Sequence, residues 1–188
     1  MNIVHVGGAK GVGKTSVLQE LRKDLRESNS NIEVLFTSVE FGNLSTVRYG
    51  KTLANLQTEE RNAIQKEFMF NVKNMSFNII ILDSHYVDVT PKGIIPLLQK
   101  EVWSDFTCHI ILEADPQTIL RQRISDTKRK RQLDIKRISM EIEAERNQAY
   151  IISKETGATT YVLNSHGTLK ETKEAIKDIL RKEFRKEL

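Results

Sequence analysis

A glycine-rich segment near the start of the chain carries the residues with the clearest chemical meaning. Residues 8–15 read Gly-Ala-Lys-Gly-Val-Gly-Lys-Thr, which matches the phosphate-binding pattern G-x-x-x-x-G-K-[ST]. Glycines let backbone N–H groups curl around phosphate oxygens, and the start of a helix adds partial positive charge. In this pattern Lys14 reaches the β- and γ-phosphates, and the Thr15 hydroxyl binds Mg²⁺. Nine consecutive residues are therefore expected to hold a nucleotide: Gly8, Ala9, Lys10, Gly11, Val12, Gly13, Lys14, Thr15 and Ser16.

A second candidate position is Asp83, which follows the apolar run Ile79-Ile80-Ile81-Leu82. Strands often end at Asp simply because Asp begins turns. Beside a phosphate-binding loop, however, a carboxylate at the carboxyl edge of a parallel strand is well placed to bind Mg²⁺. We therefore interpret Asp83 as a metal-binding residue, and His85, two residues further on, as a candidate substrate contact.

The basic residues of the chain are concentrated in one segment. The formal net charge is +4, from 29 Lys and Arg against 25 Asp and Glu. The segment from Arg121 to Arg137 contains eight Lys or Arg and two Asp, so it accounts for more than the whole excess. It is either a solvated or nucleic-acid-binding face, or a flap whose arginines cover a nucleotide and stabilise charge on a moving phosphoryl group. Arg121 and Arg123 lie roughly 200° apart on a helix, so only one of them is expected to face a site.

Arg146 is unusual because it shares a predicted helix face with apolar residues such as Ile138, Ile142 and Ala149. A charge in an apolar stripe needs a partner. The side chain either reaches the surface or points into an anion site at the edge of the sheet. We favour the anion site.

The elements that must position these residues alternate between strands and helices. Five strands are predicted, at Ile3–Val6, Ile32–Phe36, Asn78–Leu82, Thr107–Leu112 and Thr159–Leu163. Helices are predicted at Thr15–Glu27, over most of 43–76, after Asp115, at about 135–155, and after the capping box that begins at Thr168. A loop marked by Pro91-Lys92-Gly93 is expected after the third strand. This order predicts an α/β fold with a parallel sheet and helices on both faces.

The length and composition of the chain exclude several classes of protein. The length of 188 residues favours one domain. A single cysteine, Cys108, excludes an internal disulfide framework and a cysteine-based zinc module. No secretory signal and no apolar run long enough to span a bilayer are visible, so we expect a cytoplasmic protein without a membrane partner. The base-reading N-K-x-D and the switch D-x-x-G of GTPases are absent from the sequence.

Taken together, these spaced motifs resemble the archaeal-type adenylate kinases over nearly the whole chain. The matching segments are Gly-Val-Gly-Lys-Thr at 11–15, Glu-Phe-Gly at 40–42, Ile-Leu-Asp-Ser-His at 81–85, Thr-Pro-Lys-Gly at 90–93, Leu-Glu-Ala-Asp-Pro at 112–116, Asp-Thr-Lys-Arg-Lys-Arg at 126–131, Arg146, and Thr-Gly-Ala-Thr at 156–159. The resemblance implies a three-layer P-loop kinase fold with a five-stranded parallel sheet. It also implies a helical acceptor-binding insert at about 38–76 and a short arginine-rich lid at about 125–135.

The resemblance further implies Mg²⁺-dependent, reversible transfer of the ATP γ-phosphoryl group to AMP. Thr15 and Asp83 would serve the metal, and Lys14, Arg129, Arg131 and Arg146 would act on the phosphates. Phe41, Gly42, Arg48 and His85 would contact the acceptor. Many archaeal members are trimers, so a homo-oligomer is implied as well.

Three departures from the family pattern are visible. Lys10 replaces a proline that is usual in the phosphate loop. The segment after Gly42 is shorter and lacks an arginine-rich stretch, so that Arg48 and Arg61 are the only arginines available there, and Leu97-Leu98-Gln99 after Pro96 lacks the second proline. The donor side thus matches the family, whereas the acceptor side departs from it. Two alternatives therefore stand beside the AMP kinase. One is a kinase of another nucleoside monophosphate or of a nucleic-acid 5′-hydroxyl. The other, less favoured because nucleic acid is not the expected partner, is a nucleotide- or RNA-binding protein with little turnover.

Overall fold

A central β-sheet organises the part of the chain that the computed structural model describes, which is residues 1–90, 93–127, 131–165 and 167–185. The strands among these residues are β1 (Asn2–Gly7), β2 (Ile32–Phe36), β3 (Ile79–Asp83), β4 (Val87–Thr90), β5 (Gly93–Pro96), β6 (Cys108–Glu113) and β7 (Thr159–Asn164). Five of them form one sheet in the order β2-β3-β1-β6-β7, and every neighbouring pair is parallel. The predicted five-stranded parallel sheet is confirmed.

The helices that connect these strands are α1 (Lys14–Glu27), α2 (Thr37–Tyr49), α3 (Thr58–Lys73), α4 (Pro116–Ser125), α5 (Ile135–Thr156) and α6 (Leu169–Glu183). Short 3₁₀ helices lie at Leu53–Asn55 and Lys100–Asp105. Asp115 caps α4 by accepting a hydrogen bond from the backbone N–H of Thr118, and α6 begins with the predicted Thr168–Glu171 capping box.

The two faces of the sheet carry different helices because successive side chains of a strand point to opposite sides. From β1, Val4 and Val6 pack with the apolar faces of α1 and α6. On the opposite side, Ile3 joins the cluster that includes α3, and Ile111 of β6 joins the cluster that includes α5. Helices therefore cover both faces, as the predicted three-layer arrangement requires.

The segment after β3 differs from the sequence prediction. Instead of a loop, β4 and β5 form an antiparallel hairpin in which Val87 pairs with Pro96 and Thr90 with Gly93. The expectation of a loop was wrong because two four-residue segments, Val87–Thr90 and Gly93–Pro96, pair with each other across the turn. Pro91 and Lys92, which marked the expected loop, lie outside the described residues.

The insert between β2 and β3 is helical, as predicted, but its first helix begins earlier. Helix α2 starts at Thr37, directly after β2, and ends at Gly50, which has a φ of 63°. In α3 the apolar residues Ile64, Phe68 and Val72 are buried. The predicted lid at about 125–135 falls between α4 and α5, where Lys128, Arg129 and Lys130 are not described. Among the described residues, no helix is both long and apolar enough to cross a membrane.

Two histidines are fully buried beneath the sheet edge that carries the phosphate loop. The rings of His5 and Tyr86 lie 4.2 Å apart, and the Tyr86 hydroxyl contacts Nδ1 of His109 at 2.8 Å. Burial lowers the pKa of His109 to about 4 and that of His5 well below its usual range. Both rings are therefore neutral in the folded protein at neutral pH.

These histidines predict that the protein loses stability in mild acid. His109 titrates near pH 6.5 when unfolded and near 4 when folded, so the unfolded state binds the extra proton as the pH falls through this window. Its contribution to the free energy of unfolding should fall by about 2 kcal/mol between pH 7 and pH 5. Urea unfolding at the two pH values measures this loss, which His109→Asn should reduce. Equal stability of the wild-type protein at both pH values would contradict the prediction.

Candidate active site

The phosphate loop lies between β1 and α1, as its sequence pattern predicts. Gly8 and Gly13 adopt positive φ angles of 135° and 97°. A Cβ on Gly8 would lie 2.2 Å from the carbonyl oxygen of Leu112, so the loop passes too close to β6 for any side chain there. Helix α1 begins without a side-chain cap at Gly13. Its first N–H groups are thus available to an anion, as in other phosphate-binding helices.

Lys14 is held inside this loop, with only 5% of the residue exposed. Its ammonium group donates to the carbonyl oxygen of Gly8 at 3.0 Å and lies 4.0 Å from a carboxylate oxygen of Asp83. Burial lowers the pKa of Lys14, whereas the negative charges of Asp83 and Glu145 raise it. The result is a desolvated cation whose position is fixed before a nucleotide binds.

The two residues expected to serve a metal lie next to each other. Asp83 is the last residue of β3 and pairs in register with Val6 of β1, so its side chain emerges beside the phosphate loop. The Thr15 hydroxyl donates to the Asp83 carboxylate at 2.9 Å. A hydroxyl and a carboxylate are the oxygen ligands that Mg²⁺ prefers, and this ion takes its remaining ligands from water and phosphate. The pair fits a magnesium ion.

A cavity of about 810 Å³ opens in front of the phosphate loop. Residues 10–17 line it at the phosphate loop. Three further regions contribute the rest of the lining: His85 after β3, then Gln122, Asp126 and Arg131 at and after α4, and finally Ser165, Gly167, Leu169 and Thr172 at and before α6. Arg131, a predicted phosphate contact, lies with its Nε 3.4 Å from Asp126. The structure thus brings Arg131 to the same cavity as Lys10 through Ser16. Gly8 and Ala9 are buried and do not line this cavity.

Neither arginine of α4, Arg121 or Arg123, lines this cavity; Arg123 is instead buried against the phosphate loop. Its guanidinium donates to the carbonyl oxygen of Lys10 from Nε at 2.9 Å and from Nη2 at 2.6 Å. It also pairs with the buried carboxylate of Glu141 on α5. Arg121, by contrast, is exposed and donates to Thr118. Residues four apart share a helix face. The four-residue spacing between Arg123 and the apolar Ile119 could therefore have indicated that Arg123 is the buried arginine of α4.

A second cavity of about 280 Å³ lies beside the first, between the helical insert and the end of β3. Its lining includes side chains of both polar and apolar type: Thr15, Thr37, Ser38, Phe41, Leu53, Leu56, Arg61, Asn62, Ile64, Gln65, Asp83, Ser84, His85, Leu97, Leu98 and Gln99. Phe41 and His85 therefore lie where the acceptor was expected. Both Thr15 and His85 line the two cavities at once.

The structure does not bring the other two predicted acceptor residues, Arg48 and Gly42, to this cavity. Arg48 is half exposed, forms an ion pair with Glu67 and stacks on Tyr49. Its charge is therefore paired at the surface of the insert. Gly42 lies within α2, where its carbonyl oxygen accepts from Thr46, and it does not line the cavity. Arg61, at the start of α3, is the arginine that lines it among the described residues. The sequence offers both Arg48 and Arg61 in this insert, and only Arg48 was predicted to contact the acceptor.

Arg146 does not join the phosphate loop either. Its side chain is 43% exposed and forms a two-pronged ion pair with Glu113, with one N–O distance of 2.5 Å. Both residues line a separate, open cavity between α5 and β7. The structure therefore pairs Arg146 with Glu113 and does not bring it to the cavity at the phosphate loop, so its role as a clamp on the transferring phosphate stays a prediction. Arg129, the remaining predicted clamp, lies outside the described residues.

His85 occupies the boundary between the two cavities. Its Nδ1 atom lies 3.4 Å from the Lys14 ammonium and 3.1 Å from the carboxylate of Glu145 on α5. Burial and the charge of Lys14 lower the pKa of His85, so the imidazole is neutral at pH 7. Any group passing from one cavity to the other moves beside this ring.

Comparison with known proteins agrees with this geometry. The AAA domain family matches residues 7–140, which include the phosphate loop and Asp83. An adenylate kinase from Methanothermobacter thermautotrophicus is 30% identical over 178 residues, covering 92% of this chain and 95% of the relative. An adenylate kinase from Sulfurisphaera tokodaii is 31% identical over 183 residues, covering 89% of this chain and 93% of the relative.

Solved structures share the architecture at lower identity. A shikimate kinase from Bacteroides thetaiotaomicron aligns with a TM-score of 0.59 and 15% identity, covering 96% of this chain and 98% of that one. A gluconokinase from Sinorhizobium meliloti aligns with a TM-score of 0.55 and 12% identity, covering 98% and 94%. At this level of identity the likeness concerns the fold alone.

Proposed function

Because the chain belongs to the archaeal-type adenylate kinase family, we propose that it transfers the γ-phosphoryl group of ATP reversibly to AMP, yielding two ADP. The observation that carries the proposal is the junction of the two cavities at Thr15 and His85, next to Lys14. A donor nucleotide on the phosphate loop and an acceptor in the second cavity would meet there. Holding both reactants in line is the main requirement of phosphoryl transfer.

In this proposal ATP occupies the larger cavity, which we call the donor cavity, with its phosphates against the backbone of residues 8–16. AMP occupies the second cavity, which we call the acceptor cavity. Lys14 contacts the β- and γ-phosphates, and its fixed position means that little reorganisation accompanies the reaction. Thr15 and Asp83 would hold Mg²⁺. When bound, Mg²⁺ would neutralise charge on the phosphate oxygens.

The lid arginines would complete the charge stabilisation. Arg131 already lines the donor cavity and lies close enough for its charge to lower the pKa of Lys14. We propose that Arg131 and Arg129 contact the moving phosphoryl group when the segment between α4 and α5 covers the nucleotides. A guanidinium suits this task because it stays charged and presents several fixed donors.

AMP as the acceptor is supported by the shape and chemistry of the second cavity. Phe41 and several leucines offer apolar surface to a base, and Arg61 supplies positive charge for a phosphate. The Nη2 and Nε atoms of Arg61 donate to the carbonyl oxygens of Leu53 and Leu56, which fix the guanidinium against the insert. An arginine carries five N–H donors, so this anchoring leaves donors for a phosphate.

A panel of acceptors tests this assignment. With Mg²⁺ and ATP, ADP formation should be much faster with AMP than with dAMP, CMP, UMP or GMP. Arg61→Ala should raise the KM for AMP by about tenfold or more and leave the KM for ATP within about threefold, because the lost contact is to the acceptor alone. Arg48→Ala, which removes an exposed arginine of the same insert, is the matched control and should resemble the wild-type enzyme. An unchanged KM for AMP in Arg61→Ala would remove Arg61 from the acceptor site.

A kinase of another acceptor is the second candidate. Among the described residues, Arg61 is the single Lys or Arg that lines the acceptor cavity, so the charge available for an acceptor phosphate is modest. ADP formation with a different monophosphate, or with a nucleic-acid 5′-hydroxyl, and none with AMP would favour this reading. The donor half of the site would then keep the roles given above.

We propose that the protein works in the cytoplasm, where ATP and AMP are available and where a buried free thiol such as Cys108 stays reduced. We also propose the homo-oligomer that the family resemblance implies. Sedimentation equilibrium, with and without nucleotides, measures the assembly directly.

A further inference from the structure

Glu145 is a buried carboxylate that joins three parts of the site. It lies on α5, the helix that follows the lid segment, and only 2% of the residue is exposed. Its Oε2 atom accepts two backbone hydrogen bonds, from Gly8 at 3.2 Å and from Tyr86 at 3.0 Å. One oxygen thus anchors the first residue of the phosphate loop and the segment just beyond His85. A buried carboxylate with several donors is a costly feature unless those bonds are made.

The other oxygen of Glu145 determines which nitrogen of His85 carries a proton. Oε1 lies 3.1 Å from Nδ1 of His85. An ionised carboxylate can only accept, so Nδ1 must carry the hydrogen. In the neutral ring this leaves Nε2 as the acceptor. The Lys14 ammonium, 3.4 Å from the same Nδ1, is also a donor and therefore cannot form a hydrogen bond with it.

We propose that Glu145 is a positioning residue for phosphoryl transfer, which holds His85 at the junction of the two cavities with Nδ1 protonated and Nε2 ready to accept a hydrogen bond. This proposal rests on the proposed function, because it assigns a role at the junction where donor and acceptor meet. It explains why a carboxylate is buried on α5 beside a lysine and a histidine that face nucleotide cavities. Glu145 acts through His85 and the loop.

The variant Glu145→Gln separates the effect on His85 from the effect on the backbone. The amide oxygen can replace Oε2 and keep the bonds from Gly8 and Tyr86. The NH₂ group then faces Nδ1 of His85, and because it is a donor the ring must change to the tautomer with the hydrogen on Nε2. The substitution is therefore expected to preserve the fold and reverse the tautomer.

Two readouts test the proposal. Correlation of ¹⁵N and ¹H in the His85 imidazole should show the Nδ1–H tautomer in the wild-type protein and the Nε2–H tautomer in Glu145→Gln. The kcat for AMP-dependent ADP formation should fall by about 10- to 100-fold, as is usual when the partner that orients a functional histidine is lost. The KM for ATP should stay within about threefold. Glu143→Gln, an exposed carboxylate two residues away on α5, is the matched control and should leave both readouts unchanged.

The outcomes that overturn the proposal are distinct. If the wild-type protein carries the Nε2–H tautomer, Glu145 does not orient the His85 ring. If Glu145→Gln carries the same tautomer as the wild-type protein, the conclusion is the same. A reversed tautomer with wild-type kcat shows that the orientation is irrelevant to transfer. Failure of the proposed function looks different, because the wild-type protein itself would then form no ADP with AMP.

Discussion

Replacing Lys14 by methionine is expected to lower kcat for ADP formation by about 10²- to 10³-fold, which is the usual effect of removing one fixed cationic or hydrogen-bonding group from a developing charge. The ammonium lies inside the phosphate loop, 3.0 Å from the carbonyl oxygen of Gly8 and 4.0 Å from a carboxylate oxygen of Asp83. Methionine has a similar length and avoids the cost of burying a charge, so the folded structure should persist. Steady-state kinetics with Mg²⁺, ATP and AMP measure the loss.

The matched control for this substitution is Lys23→Met on the same helix. Lys23 is two-thirds exposed and lies 4.0 Å from Glu27, so its replacement should leave kcat and the thermal midpoint almost unchanged. Circular dichroism of both variants separates a catalytic loss from unfolding. Wild-type turnover in a folded Lys14→Met protein would show that the phosphate loop is not the catalytic centre.

Asp83→Asn is expected to have the second-largest effect, a fall in kcat of about 100-fold together with a higher Mg²⁺ concentration for half-maximal rate. The amide keeps an oxygen that can accept from the Thr15 hydroxyl, which preserves the 2.9 Å contact between the two side chains. It removes the negative charge that favours a divalent cation at this edge of the sheet. The measurement is a Mg²⁺ titration of the initial rate at saturating nucleotides.

Asp178→Asn provides the comparison for this variant. Asp178 is exposed on α6, where it pairs with Arg181, and its loss should change neither kcat nor the Mg²⁺ titration. An Asp83→Asn enzyme whose Mg²⁺ dependence coincides with that of the wild-type protein would mean that Asp83 does not serve the metal. Its position beside Thr15 would then be structural.

The donor half of the site could be predicted from the sequence because its geometry is set locally. The phosphate loop has fixed residue types at fixed spacing, and the strand before it and the helix after it are part of the same pattern. Asp83 could be placed because it ends a run of apolar residues, and parallel strands bring their carboxyl ends to one edge of the sheet. Those two facts are enough to put Lys14, Thr15 and Asp83 together.

The acceptor half could not be predicted in the same way, because it depends on how helices pack. Helix α2 begins at Thr37, and within it Phe41 lines the acceptor cavity while Arg48 lies on the outer surface of the insert. Arg61 lines the cavity through the packing of α3, which no local motif marks. The fold of the β4–β5 hairpin likewise depends on pairing across a turn.

Helix periodicity could not predict which of two neighbouring residues of α5, Glu145 or Arg146, lies at the phosphate loop. Adjacent residues on a helix are separated by about 100°, so Glu145 and Arg146 both border the apolar stripe of α5. The sequence alone favours Arg146, since an arginine suits a phosphate site. The structure instead turns Glu145 toward Gly8 and His85, and pairs Arg146 with Glu113 on the other side. Backbone N–H donors and a histidine are partners that only the assembled fold reveals.

The most direct test of the central claim is ³¹P NMR of ATP and AMP incubated with Mg²⁺ and the wild-type protein. We expect the ATP and AMP signals to decline together while ADP accumulates, without any inorganic phosphate. We expect the reaction that starts from ADP alone to reach the same mixture. Release of inorganic phosphate at a rate independent of AMP would contradict it, because the protein would then hydrolyse ATP without transferring the phosphoryl group to this acceptor.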